Sequence, residues 1–258
     1  MIIRKSKAEI ERMRRAGIIA GLVIGRLAQS ARPGVTTGEL DALARDLLAA
    51  EGAVAAFKGY RGFPAHICSS VNDQVVHGLP GKRRLQEGDI LSLDLGVLVQ
   101  GYCGDVALTV AVGEVGGSVW ELLRVTRRAL YCGIEAAQPG RHLSDVSNAI
   151  QVQADAAGLG VVRNYVGHGI GRTVHEDPQI PNYGPPGKGP ILKPGMTLAI
   201  EPMFNLGGDE TKALGDGWTV VTADGKPSAH FEHTVLVGEN GPEILTLLAE
   251  DIVLPSIH

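Results

Sequence analysis

The sequence predicts an α+β domain whose sheet is largely antiparallel and whose two halves are related, and three observations predict it. Helices stand grouped ahead of strands instead of alternating with them, which argues against a parallel, doubly wound sheet. The strand-like runs are joined by short turns, as antiparallel neighbours require. The order long helix, turn, short helix, strands occurs twice, so that a single 258-residue domain divides roughly into 1–113 and 114–258.

Ser6-Lys7-Ala8-Glu9 is a capping box, in which the hydroxyl and the carboxylate satisfy each other's open backbone N–H groups. The apolar-rich run behind it predicts a helix to about Ala31, stopped by Arg32-Pro33-Gly34. A second box, Thr36-Thr37-Gly38-Glu39, opens a shorter helix that Gly52 terminates. Two strands then fill 89–113, joined around Gln100-Gly101. A third box, Ser118-Val119-Trp120-Glu121, predicts a long helix ending near Gln138-Pro139-Gly140, and a further short helix ends at Gly158. Pro33 and Pro139 are 106 apart, as are Gly52 and Gly158, while Gly88 and Gly195, like Asp94 and Glu201, are separated by 107. Residue identity between the halves is weak, so chance is the alternative; the shared order of helix, turn and strand favours duplication. Asp94 and Glu201 are then expected to end equivalent strands and to meet in the cleft between the halves.

Composition narrows the class of protein. With 44% hydrophobic and 20% charged residues the chain is an ordinary soluble globular one. A net charge of −4 shows no basic excess calling for nucleic acid or an anionic membrane. Lys82-Arg83-Arg84 is a local basic patch, read most simply as a solvated turn. Cys68, Cys103 and Cys132 are odd in number and lie far apart, without a Cys-x-x-Cys pair, which points to a reducing compartment. The N-terminal stretch lacks the apolar core of a signal peptide, and its most apolar run, 18–24, is too short to span a bilayer. A cytoplasmic monomer is expected.

The chemistry lies in acidic residues set within strands. Strand alternation puts Leu91, Leu93 and Leu95 on one face and Ser92, Asp94 and Gly96 on the other; Val106, Leu108 and Val110 likewise face away from Asp105. Both aspartates point to a small, polar face. Glu201 ends the apolar run Leu198-Ala199-Ile200, and Glu232 precedes His233-Thr234-Val235. A lone aspartate in such a run is usually an exposed turn residue. Four carboxylates in apolar strands are harder to dismiss, because clustered without compensation they would take up protons. Two divalent cations match four carboxylates in charge. Oxygen ligands with one imidazole, from Gly167-His168-Gly169, suit Mn, Fe, Co or Zn in a two-metal site. His233 falls on the opposite face by alternation. No His-Glu-x-x-His, Walker or Gly-x-Ser-x-Gly sequence is present.

The segments VNDQVVHGLP, GDILSLDLGVLVQGYCGDVAL, YVGHGIGRTVHEDPQIPNY, KPGMTLAIEPMF, DGWTVVTADGKPSAHFEHTVLV and GPEILT resemble, in order and spacing, the bacterial type I methionine aminopeptidases over nearly the whole chain. The resemblance implies the pita-bread fold, a pseudo-twofold repeat with a curved, largely antiparallel sheet covered by helices. It implies that Asp94 chelates one metal ion, His168 and Glu201 the other, and that Asp105 and Glu232 bridge both. It further implies a metal-bridging water or hydroxide as nucleophile, Glu201 as general base, and His77 and His175 as contacts to the substrate amide. Tyr60, Phe63, Cys68 and Trp218 fall on positions of the methionine pocket, with Phe57 where some relatives carry cysteine and Val174 where some carry phenylalanine. The implied substrates are N-termini of nascent polypeptides with a small second residue, with transient ribosome association. An Xaa-Pro aminopeptidase or prolidase of the same fold is the enzymatic alternative; a metal-free binding protein is the other, and the intact ligand set speaks against it.

Overall fold

The computed structural model describes residues 2–248. Two helix pairs open the two halves. In α1 (Lys7–Ser30), Ser6 caps Glu9 N while the Glu9 carboxylate accepts from Ser6 N at 2.9 Å. In α2 (Thr37–Ala50), Thr36 and Glu39 repeat the arrangement at 2.7 Å. The third expected box does not form. α3 (Gly117–Ala136) starts from Gly116 without a side-chain cap, Ser118 sits inside its first turn, and Glu121 pairs with Arg124 at 2.9 Å instead of reaching back. α4 (Leu143–Ala157) ends on Gly158 in the left-handed conformation.

Glycines 106 or 107 residues apart share their backbone geometry, including the pair that follows Pro33 and Pro139. Gly34 and Gly140 have φ of 91° and 88°, Gly52 and Gly158 64° and 66°, Gly88 and Gly195 87° and 89°. Only glycine enters this region without steric cost, so each half needs it at the same three turns.

The main sheet has nine strands, all paired antiparallel. Its order is Val54–Ala55, Asp89–Val99, Tyr102–Val112, Glu232–Val237, Thr197–Ile200, Gly167–Gly169, Glu176–Ile180; Cys68–Val71 adds to the second of these and Pro242–Ile244 to the fourth. The strands of the first half therefore meet those of the second where Tyr102–Val112 pairs with Glu232–Val237. Gln100 (φ 50°) and Gly101 (φ 78°) make the tight turn of the long hairpin, a two-residue loop with both φ positive that matches strand twist.

One face of the sheet forms the core. Leu91, Leu93, Leu95, Val106 and Leu108 are fully buried with Ile19, Val23 and Ile24 of α1 and Leu123 and Leu130 of α3. Each such side chain contributes about 1.5–3 kcal/mol on burial, so this face holds the sheet flat against its helices and leaves the other free for chemistry. α1 lies directly on the sheet: a Cβ on Gly104 would stand 2.8 Å from Gly17 N. Asp94 lies in mid-strand and not at its end as expected, while Glu201 sits just beyond Thr197–Ile200, where Pro202 has no N–H to extend the pairing. Within the exposed patch, the Arg84 guanidinium donates to Gly34 O at 2.6 Å and closes the turn between α1 and α2. Among the described residues no helix is long and apolar enough to cross a membrane.

Candidate active site

Strand register brings the acidic side chains to one face. Asp94 stands opposite Ala107, and Ala107 opposite Glu232, in one row across three strands. Asp105 is two residues from Ala107 and shares its face. A second row runs His168, Ala199, Thr234. Glu201 lies two beyond Ala199, and Thr234 two beyond Glu232. The alanines in both rows keep the floor low, and Thr234 Oγ1 fixes Asp105 by accepting from its N–H and donating to its carbonyl, both at 2.9 Å. His233 is on the other face, with Nδ1 3.0 Å from Thr246 Oγ1.

Oxygens of Asp105 and Glu232 and a nitrogen of His168 lie within 4.8 Å of one another. Asp94 and Glu201 fall outside that tightest group but line the same cavity. Asp105 and Glu232 are 3% and 2% exposed. Burial pushes the Asp105 carboxyl up to about 7, with Glu201 adding to the rise against the opposing pull of His168. Burial, then the other carboxylates, raises Asp94 and Glu232 well above the usual range. Glu201 differs. Burial opposes its charge, but His168 Nε2 at 3.2 Å from Oε1 and His230 Nε2 at 3.6 Å from Oε2 outweigh it and hold the carboxylate at about 2. Burial resists charge on His168 as well, and Glu201 overcomes it to raise the imidazole. Two buried oxygens, Asp94 Oδ1 and Glu232 Oε1, have no hydrogen-bond partner. An orphaned buried carboxylate oxygen costs several kcal/mol, on the order of the penalty for an unpaired buried charge. Orphaned oxygens, raised carboxyls and an adjacent imidazole fit a site for hard-to-borderline divalent ions.

The cavity above them measures about 190 Å³. Its apolar end is made by Phe57, Phe63, Cys68 and Trp218. Gly96 makes room for Phe57, since a Cβ there would stand 2.7 Å from Phe57 Cε1. Phe63 packs edge-on to Phe57 (6.4 Å) and to Trp218 (5.0 Å). Cys68 stands opposite Asp94 in the sheet, and burial followed by the Asp94 charge keeps its thiol protonated. At the rim, His175 stacks on Tyr60 at 5.3 Å and stands 4.2 Å from the His168 ring. Burial, then His168, lowers His175 to about 4, so it is neutral near pH 7. The Tyr60 hydroxyl lies 3.1 Å from His175 Nδ1, and a hydroxyl that donates there leaves the imidazole N–H on Nε2. His77 takes φ 58°, uncommon for a non-glycine residue, and lines the cavity edge-on to Tyr165 at 5.7 Å.

The sequence matches metallopeptidase family M24 over residues 11–239, most of its length. The chain belongs to family M24. Among its M24 relatives, it is 52% identical to a methionine aminopeptidase of Clostridium perfringens over 248 residues, covering 96% of this chain and all of that one. It is also 52% identical to methionine aminopeptidase 1 of Bacillus subtilis, over 95% of this chain and 99% of that one. The crystal structure of a methionine aminopeptidase from Thermotoga maritima superimposes with a TM-score of 0.94 at 48% identity, covering 95% and 99% of the two chains. A prolidase from Pyrococcus furiosus is more distant, with a TM-score of 0.79 at 26% identity, and only 66% of it is covered. These likenesses establish the pita-bread M24 fold.

Within this M24 cavity, sequence reasoning named all the residues above except several walls. Val174 does not line the cavity; it is buried behind it, in the cluster with Phe57, Phe63 and Cys68, because the following residue, His175, takes the rim position. Arg61, Val76, Tyr165, Val166 and His230 line the cavity and were not foreseen. His230 is the most consequential, being 2% exposed with Nε2 facing Glu201 Oε2 at 3.6 Å. No local signal pointed to it, because its strand, Ser228–His230, pairs with Met203–Asn205 outside the main sheet that carries Glu232.

Proposed function

We propose that this chain is a methionine aminopeptidase that removes N-terminal methionine from peptides with a small second residue. The observation that carries the reading is one cavity with two ends: five potential ligands on a single sheet face, and beside them an aromatic pocket with room for one side chain. The high identity to methionine aminopeptidases along the whole chain supports it. Asp94 would hold one divalent ion and His168 with Glu201 another, with Asp105 and Glu232 shared between the two. Four carboxylates against two dications is a neutral balance, and Mn, Fe, Co and Zn all accept this donor set. Bound divalent ions supply Lewis acidity, lowering the pKa of water and polarising a carbonyl.

The chain's own groups do the rest. Phe57, Phe63, Cys68 and Trp218 enclose the methionine side chain, whose polarisable thioether packs well against ring edges. Tyr60 orients His175, whose Nε2–H donates to the oxygen of the amide as negative charge grows on it. His77 is the second such donor, held at the cavity edge by Tyr165. Glu201 takes a proton at a carboxylate oxygen from the water whose oxygen adds to the amide carbon, and returns it to the amine nitrogen as the C–N bond breaks. Nascent chains as substrates imply work in the cytoplasm, with transient contact to the ribosome.

Met-Ala-Ser is the peptide that tests the reading. Free methionine is expected only with added divalent metal, at a rate about 100-fold or more above that for Xaa-Pro peptides. Preference for Xaa-Pro substrates, or undiminished turnover in strong chelator, overturns it.

A further inference from the structure

The loop that carries His175 is tied down from the start of the chain. Lys5 is 8% exposed, and its ammonium meets the Glu176 carboxylate at 2.7 Å. The other Glu176 oxygen accepts from the backbone N–H groups of Arg172 (2.8 Å) and Thr173 (3.4 Å), so one carboxylate gathers the turn 172–176 onto the lysine. Gly171 permits the approach, since a Cβ there would stand 2.6 Å from Glu176 Oε1 and 2.8 Å from Lys5 Nζ. Lys5 N donates to Gly195 O at 2.7 Å, which also ties this segment to the turn before the strand leading to Glu201. Glu9 adds a weaker tie, accepting from the Arg172 guanidinium at 3.4 Å and from the Tyr102 hydroxyl at 2.6 Å.

A buried ion pair is seldom a net source of stability, because both charges must leave water. This one joins residues 171 positions apart and ends on the neighbour of a rim histidine. We propose that Lys5 is a positioning residue: through Glu176 it fixes the 171–176 loop and so holds His175 against Tyr60 and above His168. The inference rests on the aminopeptidase reading, in which His175 contacts the substrate amide.

A double-mutant cycle with Met-Ala-Ser and metal-loaded protein tests it, reading kcat and KM separately. Lys5→Met is expected to lower kcat about 10- to 100-fold with KM changed less than about threefold, as for a displaced catalytic group. Because Lys5 acts through His175, the Lys5→Met/His175→Ala double variant is expected to be no slower than His175→Ala alone. Losses that multiply in the double variant make Lys5 merely structural and overturn the proposal. If Lys5→Met does not unfold cooperatively, Glu176→Gln takes its place; it keeps an oxygen for the turn and removes the charge. A kcat drop of about fivefold or more, absent in the His175→Ala background, is then expected, and an unchanged kcat overturns the proposal. Wild-type protein inert to Met-Ala-Ser removes the aminopeptidase reading and this inference with it, whereas active wild type with multiplying losses removes this inference alone.

Discussion

Glu201→Gln is expected to lower kcat for Met-Ala-Ser by about 10²–10⁴-fold, the range supplied by a general acid–base group. The substitution keeps size and one acceptor oxygen but cannot take up a proton. The Glu201 side chain is 12% exposed, with one oxygen 3.2 Å from His168 Nε2 and the other 3.6 Å from His230 Nε2, so the substitution removes the negative charge from between two imidazoles. Loss of one charge is also expected to weaken metal affinity, measured by calorimetric titration. The fold is expected to survive, because the amide removes a buried charge without creating a cavity. Near-normal turnover would take Glu201 out of the mechanism.

The second large effect concerns pH and metal together. A carboxyl whose pKa is raised by folding binds its proton more tightly in the folded state. Its contribution to stability is full below the unfolded value and is lost as pH rises to the folded one. For Asp105, raised from 3.8 to about 7, the window runs from about pH 4 to 7 and the loss is on the order of 4 kcal/mol. Asp94 and Glu232 shift in the same direction. His168, also raised, loses its contribution as pH rises through its folded value. His175 and His233, lowered to about 4, act in the opposite sense between about pH 4 and 6.5; His233 faces away from the site, so its contribution cancels in a difference between metal-loaded and metal-free protein. Divalent ions replace the protons on the carboxylates, so the gain in Tm on adding Mn is expected to grow from pH 5 to 7.5. With about 2–4 °C per kcal/mol for a chain of this size, the gain should differ by roughly 10 °C across that range. Scanning calorimetry at several pH values, with and without Mn, reads it; a gain independent of pH would mean that these carboxylates are not the site.

The parts of the site legible in the sequence are those governed by period-two alternation. Asp94, Asp105 and Glu232 could be assigned to one face because each sits in a long regular strand, where side-chain direction follows from position. His168 and Glu201 were legible as candidates from their flanking residues, but their side of the sheet depends on register with Ala199, which no local pattern encodes. His230 escaped for a related reason. Its strand is three residues long and pairs with Met203–Asn205, outside the main sheet, so periodicity had nothing to act on. Val174 and His175 are consecutive in a bend outside any strand, so no alternation tells which of them reaches the cavity. The missing cap at Ser118 has a local cause: Arg124, one turn on, competes successfully for Glu121.

The aromatic end of the cavity is closed by buried residues, Phe57 at 8%, Phe63 at 4% and Cys68 at 4% exposure. A polypeptide can enter such a recess only by its tip. A methionine in the middle of a chain cannot reach the carboxylates without threading backbone through that wall. The same wall therefore serves as self-restraint: a protease built this way leaves the interior of folded proteins uncut.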